Sequence, residues 1–179
     1  AQVAIRPKVG LIATGSELVN PSEKPEGAKI RNSNSLQLTA QVRSTGAIAT
    51  DYGIVKDTKE AINTIIKKAM EENDLIVLSG GVSMGDYDFG AETLTDNGFN
   101  FLFEKVAMQP GKPMIFGVAN TTSQKSATST KASALEHASC ESSIGYCCGL
   151  PGNPVSTFIV FENMLRPFLF KLMNYDFKP

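Results

Sequence analysis

Short apolar runs of strand length alternate along the chain with stretches of helical periodicity. Lys8-Val9-Gly10-Leu11-Ile12-Ala13, Ile48 to Val55, Leu75 to Ser79, Phe99 to Val106, Met114 to Val118 and Ile144 to Leu150 read as strands, the first of them buried on both faces. Between them lie the helices. Leu36 to about Ser44 is closed by Gly46, and the preceding Asn32, Ser33, Asn34 and Ser35 are all residue types that cap helix starts. Asp57-Thr58-Lys59-Glu60 reads as a capping box for a helix that ends near Glu72 and sets Ile62, Ile65, Ile66, Ala69 and Met70 on one apolar face. Ala91 to Asn97 is a shorter helix with Gly98 past its end. Asn153 fits an N-cap and Pro154 the first position of a long apolar helix, Val155 to about Met173, whose free N–H groups are expected to face a ligand. In it Phe158, Ile159, Leu165, Leu169 and Leu172 form the expected core stripe, which Pro167 should kink or interrupt.

This alternation predicts a three-layer α/β/α domain, a mostly parallel sheet with helices on both faces and right-handed crossovers. Ligands of such sheets gather outside the carboxyl ends of the strands. Thr14-Gly15-Ser16-Glu17, Gly80 to Asp88 and Gly149 to Ser156 each directly follow a strand, so three distant loops are expected at one crevice.

Composition narrows the class. At 179 residues, 42% hydrophobic and 20% charged, the chain suffices for one domain with a substantial core. A formal net charge of -1 argues against non-specific nucleic-acid binding, so an anionic ligand must be held by locally placed donors. No apolar run reaches membrane-spanning length. Three cysteines, Cys140, Cys147 and Cys148, are an odd count without ligand-like spacing and read as reduced packing residues, which suits the cytoplasm. Residues 120–143 are rich in Ser, Thr, Ala and Lys and are expected to form a low-complexity loop insertion carrying the single histidine, His137, with no catalytic part. Arg6-Pro7 looks like the end of a linker, so the chain reads as a piece of a larger multidomain protein.

The chemistry concentrates in Ser79-Gly80-Gly81-Val82-Ser83-Met84-Gly85-Asp86-Tyr87-Asp88. Glycines after a strand let backbone N–H groups approach an anion, and Asp86 and Asp88 supply hard oxygens suited to Mg²⁺. Lys112 sits in a rigid turn, Met108-Gln109-Pro110-Gly111-Lys112-Pro113, near the other strand ends. A Walker lysine pattern is absent, as is a G-x-G-x-x-G opening a helix.

Four motifs in this order carry a resemblance: Thr14-Gly15-Ser16-Glu17-Leu18, Ser79 to Asp88, Pro110-Gly111-Lys112-Pro113 and Gly149-Leu150-Pro151-Gly152-Asn153-Pro154-Val155-Ser156. Together they resemble the molybdopterin-binding domain of molybdenum insertases, the family of bacterial MoeA and the gephyrin E domain. The resemblance implies insertion of molybdate into adenylylated molybdopterin with Mg²⁺-dependent release of AMP, a transferase reaction, by proteins that act as dimers and carry further domains. An adenylyltransferase domain is an implied partner; nucleic acid and membrane are not. It implies pterin and phosphate binding by Thr14, Gly15, Glu17, Asn32, Ser33, Asn34, Ser79, Gly80, Gly81, Val82, Ser83, Gly85, Pro110, Gly111, Gly149, Pro151, Gly152, Asn153 and Pro154. Molybdate would fall to Lys112 and Ser156, metal to Asp86 and Asp88, and catalysis to Asp86, Asp88 and Lys112. Two positions depart from the family pattern: Asn32 stands where many members have aspartate, and Gln109 where many have lysine. The alternatives are molybdopterin adenylyltransferase, whose loop normally reads Gly-Gly-Thr-Gly, and a domain that binds molybdopterin or a partner without turnover.

Overall fold

The structure is a computed structural model and describes residues 5–81, 89–120 and 144–175. Its centre is a six-stranded sheet built from β1 (Lys8–Thr14), β4 (Ile48–Val55), β5 (Leu75–Ser79), β6 (Asn100–Lys105), β7 (Pro113–Asn120) and β8 (Ile144–Leu150). They lie in the order β4-β1-β5-β8-β7-β6. β4, β1, β5 and β8 run parallel, whereas β7 is antiparallel to both β8 and β6. The reversal is local. Only the Val106 to Lys112 turn joins β6 to β7, and a connection that short cannot return a parallel strand. A second, two-stranded ladder pairs β2 (Leu18–Val19) with β3 (Ile30–Arg31) and closes the polar loop between them, a pairing too brief to show as periodicity.

Helices cover both faces. α1 (Asn34–Ser44) and the C-terminal helices lie on one side, α2 (Lys59–Glu72) and α3 (Phe89–Asp96) on the other. Successive strand residues therefore feed different cores: Leu75 and Val77 pack with Leu38, Val42, Phe161 and Leu165, while Ile76 and Leu78 pack with Ile62, Ile66 and Leu94. This two-sided burial is why β5 reads as an unbroken apolar run. Cys147 and Cys148, adjacent on β8, are split in the same way and are both fully buried. Burial pushes the Cys147 thiol up to about 12 and the Cys148 thiol well above its ordinary value, so both are packing residues, as expected. Cys140, His137 and the rest of 121–143 lie outside the described residues.

Local signals met their partners with some changes. Thr58 caps α2 by accepting from the Ala61 N–H, but the third helical residue is alanine, so only half of the expected capping box forms. The long C-terminal helix is divided into α4 (Pro154–Val160), one π-helical turn (Phe161–Leu165) and α5 (Arg166–Leu172), with Pro167 in the first turn of α5. The π turn shifts the bonding by a residue where proline offers no N–H. The buried stripe also differs from the expected one: Val160, Phe161, Leu165 and Leu169 are buried, whereas Phe158, expected in the core, is 46% exposed.

Candidate functional site

The chain runs from β1 outward to β4 on one side and returns to β5 on the other, so the carboxyl ends of β1, β5 and β8 lie side by side where its direction of winding reverses. Their loops touch. Gly80 has φ +84°, and a Cβ placed there would lie 2.5 Å from the Thr14 carbonyl oxygen; a Cβ on Gly152 would lie 3.9 Å from the Gly80 Cα. Glycine is required at 80 both by conformation and by this approach. Gly80 N–H, expected to face an anion, instead donates to Leu150 O at 3.2 Å, because the β5–β8 ladder continues one residue past the end of β5. Gly80 therefore contributes shape and not a donor.

Asn34, the first residue of α1, ties the edge together. Its Nδ2 donates to Ser79 Oγ and to the Gly152 carbonyl, each at 2.8 Å, while its Oδ1 is buried without a hydrogen-bond partner. Thr14 Oγ1 is likewise buried and unpartnered. Among the described residues four buried side-chain oxygens lack a hydrogen-bond partner, those of Thr14, Asn34, Asp57 and Asn73; the first two lie together on this edge, and because buried polar groups are ordinarily paired they are a ligand-site signal. Asn32 has another job: its Oδ1 accepts from Ser35 N at 3.1 Å and its Nδ2 donates to Ser35 Oγ at 2.8 Å, so it caps α1. Ser33, at the formal N-cap position, makes no such bond. Gly15 lies in the turn that sends Leu18 N–H to the Gly15 carbonyl, and the Glu17 carboxylate folds back over it.

At α4 the N-cap and first-turn proline are as expected, but the N–H groups are not free. Asn153 Oδ1 accepts from Val155 N at 3.0 Å and from Ser156 N at 3.2 Å. The cap consumes the donors that were to meet an anion. Pro151 is buried, with its carbonyl accepting from the Thr157 hydroxyl, and Gly149 is buried in β8. Beside this helix, a Cβ on Gly111 (φ +111°) would come within 2.4 Å of Val160 Cγ2 and 3.6 Å of Ser156 O. The Pro110-Gly111-Lys112 turn therefore packs on α4 next to Ser156, and exposed Lys112 and Gln109 line a depression of about 750 Å³ there. The peptide bond before Pro110 is cis.

Val82, Ser83, Gly85, Asp86 and Asp88 lie outside the described residues; Gly81 is the last before the gap, and its carbonyl packs against Gly90 at the start of α3. Among the described residues no group of three or more His, Cys, Asp or Glu could hold a metal ion. Unforeseen from sequence were Gln37 and Gln41, one turn apart on α1, which reach across to the Pro154 carbonyl and to Glu162 Oε1. Their spacing was the available signal. Glu162 is in turn held by Arg166, which keeps its carboxyl below the usual range.

A doubly wound α/β domain with glycine-bearing loops converging at the strand switch point belongs to the class of folds that bind their ligands at this edge. The chain belongs to the family described as "Probable molybdopterin binding domain", which matches residues 10–171. It is 33% identical to a molybdopterin molybdenumtransferase of Staphylococcus epidermidis over 97% of this chain and 36% of that protein. The chain thus spans about a third of that relative's length. Among solved structures, the molybdopterin biosynthesis MoeA protein of Pyrococcus horikoshii superposes with a TM-score of 0.72 at 27% identity, over 94% of this chain and 36% of that one. A molybdenum cofactor biosynthesis protein B superposes at 0.64 with 14% identity over 97% of both chains, a likeness of fold. No described helix is long and apolar enough to cross a membrane.

Proposed function

We propose that this domain binds molybdopterin, in its adenylylated form, at the β1/β5/β8 edge and takes part in molybdate insertion with release of AMP. The observation that carries this is the Asn34 carboxamide, which joins the β5 end at Ser79 to the Gly152 loop beside an unpartnered Thr14 hydroxyl. That edge has the steric room of glycine and unspent polar atoms where the ligand of such a fold sits.

In this proposal Gly80 and Gly152 let the phosphorylated pterin approach the backbone, and Thr14 Oγ1 and Asn34 Oδ1 meet its polar groups. Lys112, which follows the Gly111 that packs on α4 near the Ser156 carbonyl, and Ser156 receive molybdate as charge-assisted and neutral donors. Mg²⁺ is commonly held by one or two carboxylates and substrate phosphates, a set Asp86 and Asp88 match in type; bound there, it would supply charge neutralisation for the pyrophosphate. Asn32 fits a different part. Its amide is spent on Ser35, so it orders the start of α1 and does not hold metal. Gln109, on the rim beside Lys112, offers a neutral donor to the same oxyanion. Assembly with a second copy and with an adenylyltransferase domain belongs to the same proposal, as does a cytoplasmic site of action.

The test is incubation of the chain with adenylylated molybdopterin, molybdate and Mg²⁺. AMP release with a molybdenum-bearing product, lost in Asp88→Ala while pterin binding survives, supports the proposal. Adenylylation of molybdopterin from ATP would assign the sister activity, and binding without turnover would leave a carrier or docking domain.

A further inference from the structure

A second cavity, of about 280 Å³, opens between the β2–β3 ladder, the start of α1 and the end of edge strand β4. It is separate from the Lys112 depression and made of different residues. Its polar floor is Asn32 and Ser35, buried and already bonded to each other. Its apolar walls are Ile54 and Leu36, the latter 60% exposed although the other leucine of α1, Leu38, is buried. One carboxylate lines it, that of Asp51.

The backbone aims that carboxylate. From Leu11 to Ala13 β1 advances two residues while β4 advances three, Asp51 to Ile54, so β4 carries a bulge. Gly53 takes the left-handed conformation the bulge needs (φ +75°), and its N–H donates to Asp51 Oδ1 at 2.9 Å. Bulges on edge strands re-aim side chains, often beside ligand sites. Asp51 forms no ion pair among the described residues.

We propose that this cavity is the pterin-ring subsite, in which Asp51 accepts from the paired N–H donors of a 2-amino-4-oxopyrimidine edge. It rests on the molybdopterin-binding function proposed above and says which end of the ligand goes where. A fixed carboxylate offers acceptors only, so it matches a heterocycle edge presenting adjacent donors, as a pterin does. Adenine alternates acceptor and donor on its pairing edge and mismatches. The volume lies just under the usual range of about 300–1,000 Å³ for whole-ligand pockets, which suits one bicyclic ring between Leu36 and Ile54 with the remainder of the ligand outside. Position agrees as well. Asn32 on the cavity floor is two residues from Asn34 at the strand-end edge, a backbone span of at most about 7 Å. One ligand can therefore place its ring here and its phosphate by Gly80 and Gly152. Asn20, whose Oδ1 is taken by Ser22, has its NH₂ left for the ring's 4-oxo group.

The experiment measures molybdopterin affinity for the wild-type chain and Asp51→Asn, and displacement of molybdopterin from the wild type by 6-hydroxymethylpterin and by 6-hydroxymethyllumazine, which replaces the 2-amino group by a carbonyl. Asp51→Asn should weaken molybdopterin about tenfold or more, and the lumazine should compete at least about tenfold less well than the pterin, since its carbonyl opposes the carboxylate. Should the variant fail to fold, the pterin–lumazine comparison on the wild type decides alone. Equal molybdopterin affinity in a folded Asp51→Asn, equal competition by the two heterocycles, or competition by neither places the ring elsewhere and overturns the subsite while the binding function stands. A wild-type chain that does not bind molybdopterin overturns both.

Discussion

Asn34 and Gly152 are 118 residues apart in sequence and 2.8 Å apart in space, joined by a bond from a helix-start carboxamide to a loop carbonyl. The same carboxamide holds Ser79, so one side chain fixes α1, β5 and the β8–α4 loop relative to one another.

Removing it should both loosen and misalign the edge. Asn34→Ala leaves the buried Ser79 hydroxyl and the Gly152 carbonyl without their donor, a loss of roughly 1–3 kcal/mol. Urea denaturation should show a lower midpoint, and molybdopterin titration a weaker affinity. Unchanged values in both would show that the bridge is dispensable.

Two glycines with similar φ should respond differently to alanine. At Gly46 (φ +92°) nothing lies within 4 Å of an added Cβ, so Gly46→Ala should cost only conformational strain, about 1 kcal/mol. At Gly80 the added atom meets the Thr14 carbonyl at 2.5 Å, and β1 or β5 must shift. Gly80→Ala should lower the denaturation midpoint well beyond Gly46→Ala and also reduce ligand binding, which Gly46→Ala should leave intact.

The link between α1 and the π turn should show in pH dependence. Glu162 is held below its ordinary range chiefly by its hydrogen bond to Arg166, against opposing desolvation. A lowered folded-state value means that stability is present above the unfolded carboxylate range and is lost as pH falls through the folded value. Glu162→Gln should therefore cost about 1 kcal/mol near neutrality, and the difference from the wild type should shrink on acidification. A pH-independent difference would assign the effect to packing.

Burial of Cys147 and Cys148 predicts unreactive thiols. Their folded values are raised, Cys147 to about 12, so stability from this source is full below the ordinary thiol range and declines as pH rises above it, where the unfolded chain ionises first. In a Cys140→Ser background, a disulfide reagent at mildly alkaline pH should label neither thiol until denaturant opens the sheet. Rapid labelling of the folded chain would contradict their placement in the two cores.

Much of this fold is local and so was written along the chain. Apolar runs such as Leu75 to Ser79, of strand length and ended by glycines, read as strands covered on both faces, and Thr58, Asn153 and Pro154 mark helix starts because capping is a short-range bond. The converging loops were legible too, since parallel topology sends successive strand ends to one edge. What the residue string left open were choices between partners of equal chemical type. Asn32, Ser33 and Asn34 are interchangeable as cap candidates, yet packing makes Asn32 the cap and Asn34 the bridge to Ser79 and Gly152. Asn153 could have left donors for an anion, but its side chain reaches Val155 and Ser156 first. The Asp51 cavity exists only because a bulge on β4 meets the β2–β3 ladder and α1. Periodicity records which way a side chain faces; which atom it finds there is set by contacts across long sequence separations.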